Sequence, residues 1–216
     1  MAGACVIKID LDSELTFRNS FAFPLQNALA RKELLFGAVL VLVPVVGWLL
    51  NMGHRIEMVH RMHREQSAWP SWNNYGRLFK NGTIALSGMI YYYLPGAVLA
   101  ATSLHRHLPW LGVLAAGFFL LATIAIPGYM THYCRNYDPH EIFNPVRAFG
   151  RVLQGGQLYW KAWAISISAL ALSVLGLLGL GIGFLATSVW FWQVAGFSFA
   201  SVFTQRFALT ENLRNP

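Results

Sequence analysis

The run between Lys161 and Arg206 contains no aspartate, glutamate, lysine, arginine or histidine. A helix needs only about 20 apolar residues to cross roughly 30 Å of hydrocarbon, so this run is too long for one crossing. Gly176, Gly179, Gly181 and Gly183 crowd its middle. Two membrane helices joined by a tight glycine-rich turn follow, because irregular backbone in lipid leaves polar groups without partners. Further apolar stretches run over Leu34–Met52, Thr83–Leu104 and Leu108–Met130. The expected fold is all-α: a polytopic membrane helical bundle with four spans, a first segment that crosses or is re-entrant, and interfacial amphipathic elbows.

Composition agrees. Of 216 residues, 12% are charged and 56% hydrophobic, whereas a soluble domain carries roughly 25% charged residues. That excludes an ordinary soluble enzyme, a disordered chain and a nucleic-acid-binding domain. Cys5 and Cys134 cannot build a disulfide framework and show no metal spacing. Residues Met1–Lys32 mix acids and bases and lack the apolar core of a signal peptide. No apolar run precedes Cys5, as a lipoprotein anchor would require, so the first apolar segment is expected to insert uncleaved. The expected organisation is a tail and interfacial segment over 1–33, one membrane domain over 34–209 and a C-terminal tail over 210–216.

The net charge of +7 fits basic loops kept in the cytoplasm. Pro44 and Gly47 sit at the centre of the first segment, where a proline removes a backbone hydrogen bond. A single crossing divides lysine and arginine eleven inside to five outside; a re-entrant segment divides them fifteen to one, leaving only Arg106 outside. Straight helices are the commoner structure, which favours the single crossing. Both arrangements place the main loops and the C-terminus in the cytoplasm. A weak internal repeat sets Gly76–Gly82 over Gly150–Gly156, each expected to be an elbow leading into a span. Such repeats occur in transporters, where sites form between the halves.

Gly53-His54-Arg55, the stretch Trp69-Pro70-Ser71-Trp72-Asn73-Asn74 through Gly82, and Tyr93-Leu94-Pro95 together resemble a prokaryotic membrane-protein family. That family is catalogued as domain of unknown function 4013. Phe143-Asn144-Pro145 through Trp163 is similar to its second amphipathic elbow. Asn73 and Asn74 stand where the family usually has acids. The resemblance implies a multi-pass membrane protein from about Leu34 onward and brings no known reaction.

The candidate lipid-interface residues are Arg55, Arg61, Arg64, Trp69, Trp72, Arg77, Lys80, Arg147 and Arg151. Bases near a membrane surface each gain about 1 kcal/mol from anionic headgroups, and tryptophans collect at headgroup level. Glu57–Arg61 and Arg61–Glu65 have the spacing of helix-surface ion pairs. His60 and His63 share a helix face near Glu57 or Asp138, but a metal site needs a fuller ligand set and its supporting shell. Ser71 is expected to cap the next helix. Tyr91, Tyr92 and Pro95 are the candidates for a midplane cavity, but packing and satisfaction of the freed carbonyl are the favoured reading, with the cavity closed. Ser166, Ala169, Ser173 and Gly176 form a small-residue stripe suited to helix packing.

No nucleophile–base pair, paired acids or phosphate loop appears. The expectation is a non-enzymatic scaffold or lipid- and partner-organising protein of a prokaryotic cytoplasmic membrane. No cofactor, metal or nucleic acid is expected. Its partners would be anionic membrane lipids and a second copy or another membrane protein. The alternative is a small permease or channel with its polar site at the second-span kink.

Overall fold

The structure, a computed structural model, describes the backbone of residues 9–178 and 181–214, and side chains through Thr204 except at 179–180. Cys5, Lys8, Gly179, the side chains of Arg206 and Arg214 and those of the tail at 210–216 lie outside the described residues. Among the described residues the chain is helical, with no strand. Its helices are α1 (Phe17–Ala22), α2 (Ala28–Val41), α3 (Val46–His63), α4 (Tyr75–Arg106), α5 (Pro109–Asn136), α6 (Pro145–Leu175) and α7 (Ile182–Arg214). Four helical stretches are long and apolar enough to cross a membrane: Tyr75–Arg106, Pro109–Asn136, Pro145–Leu178 and Ile182–Thr204.

Side-chain caps start most of these helices. Thr16, Asn27, Asn74 and Asn144 each accept a hydrogen bond from the backbone N–H three residues on, which satisfies an orphan donor of the first turn. Asn74, rather than Ser71, caps α4. Proline opens α5 and α6, where its missing N–H costs nothing.

The first segment does not cross as one helix. It breaks after Val41, and Val45 takes φ 62° and ψ −66°. The chain then doubles back, so α2 and α3 form a helical hairpin. Asn51 Nδ2 of α3 ties the two arms by donating to Gly37 O of α2 at 3.1 Å, and it also donates to Gly47 O of its own helix at 2.9 Å. A Cβ on Gly47 would overlap the Leu40 carbonyl, so the bend needs glycine there. Pro44 denies the bend a helical donor. The single straight helix is thereby corrected to a hairpin, the shape the re-entrant alternative called for.

Glycine also fixes the hairpin to α4. A Cβ on Gly53 would overlap the Leu78 carbonyl, and one on Gly82 the Leu49 carbonyl. The helices therefore run antiparallel with backbones touching at two levels. By that register the hairpin tip at Val45 falls near Leu86, about a turn short of the middle of α4. Leu35, Val39, Leu42, Val45 and Trp48 project outward from the hairpin. An apolar face left uncovered by protein suits hydrocarbon.

Only one of the two expected elbows breaks its helix. In α6, Gly156 takes φ 54° and ψ −140°, separating an amphipathic start from the long apolar part. Val146 and Leu153 on that start are 83% and 82% exposed, a stripe at interfacial spacing. In α4 the equivalent Gly82 stays helical, because its surface is used up against Leu49.

The stripe of Ser166, Ala169 and Ser173 is buried, and Gly176 lies against Thr187 and Gly183 of α7. Those small residues seat α6 on α7 within the chain. Residues 9–33 also belong to the packed unit: Leu15 and Phe23 are almost fully buried, and Phe23 stacks on Phe197 of α7 at 4.4 Å.

Candidate functional site

Two buried carboxylates organise the end of the bundle that carries the α3–α4 loop. Glu33 of α2 lies 3.0 Å from His54 Nε2, and its carboxylate accepts the Ser71 N–H at 2.9 and 3.0 Å. With Nε2 protonated, the neutral imidazole donates to Glu33. Trp72 stacks on the His54 ring at 4.2 Å and donates its indole N–H to Glu33 O at 3.3 Å. Trp69 lies at 5.9 Å from the same ring and packs on Phe23. The tryptophans expected at the headgroup level are thus interior in one case and half-buried in the other. A buried carboxylate draws the loop inward, and their rings cover it.

Glu57 anchors the second network. Arg77 donates to it at 2.7 Å, and Tyr137 donates its hydroxyl at 2.7 Å. His60 stacks on Tyr137 at 4.1 Å, and its Nδ1 donates to Cys134 O at 2.7 Å. Glu57 therefore turns away from Arg61, whose Nε donates to Ser67 O at 2.8 Å instead. The expected surface pair along α3 is replaced by a junction of α3, α4 and the end of α5. Among the described residues no group of three or more His, Cys, Asp or Glu is placed to hold a metal ion.

Burial pushes the His54 imidazole below its ordinary range, against the opposing pull of Glu33. Burial, Arg135, His132 and His60 hold His63 down to about 4. Both folded values lie below the unfolded histidine value of about 6.5. The unfolded chain therefore takes up protons first as pH falls. The stability these groups contribute is complete above about pH 6.5 and lost on descent toward about pH 4. The purified protein should melt at lower temperature near pH 5 than near pH 7.5, and His63→Gln should shrink that difference. An unchanged difference in the variant would remove His63 from the account.

Arg55 is placed differently from the other cations of α3. It shares a face with Met52, Val59 and Met62, whereas Arg61 and Arg64 lie on the opposite side of the helix. Its stem crosses Gly196 of α7, and its guanidinium sits 4.5 Å from the Trp192 ring centroid. Among the described residues no carboxylate pairs with it and no hydrogen bond satisfies it. A cation–π contact contributes about 0.5–2 kcal/mol, less than the several kcal/mol that full desolvation of an ion costs. The half-buried guanidinium therefore keeps its nitrogens within reach of a ligand. Arg55 was expected on the lipid stripe; the spacing of Met52, Arg55, Val59 and Met62 already carried the signal for its inward face.

That guanidinium borders a cavity of about 310 Å³ at the junction of α3 to α7. Its walls include Ile126, Met130, Trp163, Phe191 and Phe199, and Arg55 is its sole charged lining residue. The Thr131 and Ser166 hydroxyls on its wall donate to backbone carbonyls of their own helices. Leu170 and Trp192 line it and are also exposed, so it reaches the outer surface of the bundle.

At Tyr91, Tyr92 and Pro95, the candidates for a midplane cavity, the closed and packed arrangement is present instead. Tyr92 is buried, stacks on Tyr129 at 4.8 Å and donates to Ile142 O at 2.8 Å. Tyr91 and Pro95 face outward. Three consecutive tyrosines diverge around a helix, and only Tyr93, bonded to Thr123 at 2.8 Å, reaches the Arg55 cavity. Of the remaining candidates, Arg64 and Lys80 are exposed. Arg147 and Arg151 pair with Glu141 at 3.3 Å, which partly neutralises the elbow.

Four long apolar helices around a buried polar junction define a helical membrane protein. The particular family is also fixed: residues 36–215 match the family model described as protein of unknown function, DUF4013, and the chain belongs to that family. No curated protein and no solved structure matches the chain.

Proposed function

We propose that this is a non-enzymatic, multi-pass protein of a prokaryotic cytoplasmic membrane that binds and organises anionic lipid. The observation that carries this reading is the charge distribution on a doubled-back first segment. With α2 and α3 as a hairpin, twelve of the thirteen lysines and arginines whose side chains are described fall toward one end and Arg106 alone toward the other. The positive-inside rule then assigns the α3–α4 loop, the α5–α6 loop and the C-terminus to the cytoplasm. The exposed Arg64 and Lys80, together with the outward apolar stripe of the α6 elbow, supply interfacial groups for anionic headgroups. The permease reading has no comparable support, since Tyr92 is committed to Ile142.

Cysteine labelling checks the orientation. In a chain with Cys5 and Cys134 replaced, an impermeant thiol reagent applied to intact cells should modify Arg106→Cys and spare Arg64→Cys and Arg147→Cys. Labelling at position 64 in sealed cells would overturn the topology. For lipid binding, the protein should melt higher in nanodiscs of phosphatidylglycerol than of phosphatidylcholine. The double variant Arg64→Gln/Lys80→Gln should lose part of that difference. Equal melting in both lipids would remove the lipid reading.

A further inference from the structure

We infer that the cavity beside Arg55 holds a single acyl chain whose anionic head sits on the guanidinium. This deepens the lipid reading above and rests on it. Three observations converge on that occupant. The cavity is lined by aliphatic and aromatic side chains, and Arg55 is its one charged group. Because the described residues offer Arg55 only the Trp192 face, an incoming carboxylate or phosphate would supply the missing planar, charge-assisted partner. Its volume of about 310 Å³ stands at the small end of ligand pockets, roughly 300–1,000 Å³, enough for one chain.

The depth fits as well. Along α5 the lining runs from Cys134, level with Arg55, to Thr123 beside Tyr93. At 1.5 Å per residue that distance is about 16 Å. One leaflet contributes about half of the roughly 30 Å hydrocarbon thickness. A lipid lying there would have its head at the level where α4 begins and its chain end near the middle of the bundle. Leu170 and Trp192, exposed at the rim, give the chain a route from the surrounding bilayer.

A free fatty acid and an anionic phospholipid share this chemistry, so the test uses both. Native mass spectrometry of the full-length protein in mild detergent would be run with oleate, phosphatidylglycerol and phosphatidylcholine as separate probes. The expected result is one retained equivalent of an anionic probe, preferred at least tenfold over phosphatidylcholine. Arg55→Gln should abolish that preference and Arg55→Lys should keep most of it. Met130→Trp, which fills the cavity, should reduce retention of the anionic probe at least tenfold. Retention of oleate alone identifies a fatty acid; retention of phosphatidylglycerol alone identifies a phospholipid.

Equal retention by the wild type and Arg55→Gln would overturn the inference, as would undiminished retention by Met130→Trp. If Arg55→Gln does not fold, quenching of tryptophan fluorescence by brominated oleate, compared between wild type and Met130→Trp, decides the matter. The outcomes separate from those of the wider reading. Loss of the Arg64 and Lys80 effect with a retained, Arg55-dependent lipid removes the interfacial claim alone. The reverse pattern removes the cavity alone.

Discussion

Gly82→Ala should destabilise the protein by about 3 kcal/mol or more, and Gly53→Ala by a similar amount. Overpacking a close-packed interior costs typically 1–3 kcal/mol when side chains can shift. Here the added methyl would meet the Leu49 carbonyl in the first case and the Leu78 carbonyl in the second. Backbone cannot rotate aside, so α3 and α4 would have to separate along their whole contact. For a chain of this size 1 kcal/mol corresponds to roughly 2–4 °C in melting temperature. A fall on the order of 6–12 °C is therefore expected in detergent. Gly117→Ala is the control, because nothing lies near the Cβ it would gain. That variant should be neutral or more stable by up to about 1 kcal/mol from helix propensity. Equal melting of all three variants would remove the close α3–α4 approach.

Glu33→Ala should be comparably severe, at about 2–6 kcal/mol, because two buried donors lose their acceptor at roughly 1–3 kcal/mol each. Its carboxylate is the acceptor for His54 Nε2 and for the Ser71 N–H. Removal leaves both buried without a partner and releases the stacked Trp72. Glu33→Gln keeps an acceptor oxygen and should lose less. The distinguishing readout is local: the loop at 64–74 should become sensitive to trypsin, and tryptophan emission should shift to the red. A double-mutant cycle with His54→Ala should show coupling of about 1–3 kcal/mol, the range for neighbours in one network. Additive losses would mean that Glu33 and His54 act independently.

Much of the bundle was legible from local rules. The uncharged run after Lys161 yielded two helices with their turn among the glycines, Thr83–Leu104 fell within α4, and Leu108–Met130 fell within α5 apart from its cap residue Leu108. These are one-dimensional signals, since span length and hydropathy depend on neighbouring residues only. The charged and aromatic residues of the first loop were less readable. Arg61 and Glu57 have ideal ion-pair spacing, yet Glu57 bonds Arg77 and Tyr137. Tyr137 is brought to Glu57 by the α3–α5 contact, which no local spacing encodes. Trp69 and Trp72 carry the composition of an interfacial belt and were drawn inward by Glu33, far away in sequence.

By itself the sequence determined the helical class, the family, the four long apolar helices and the lopsided charge. Length, hydropathy and the order of the basic residues suffice for all of these except the family, which the resemblance of the Gly53–Arg55, Trp69–Gly82 and Tyr93–Pro95 motifs carried. Tertiary structure alone decided that the first segment doubles back. Pro44 and Gly47 permit a bend, but the hydrogen bond of Asn51 to Gly37 and the fit of Gly53 and Gly82 into α4 select it. It also decided that Arg55 faces a cavity rather than lipid headgroups. A helix presents every residue to some side, and only the arrival of α7, with Gly196 and Trp192, determines what that side meets.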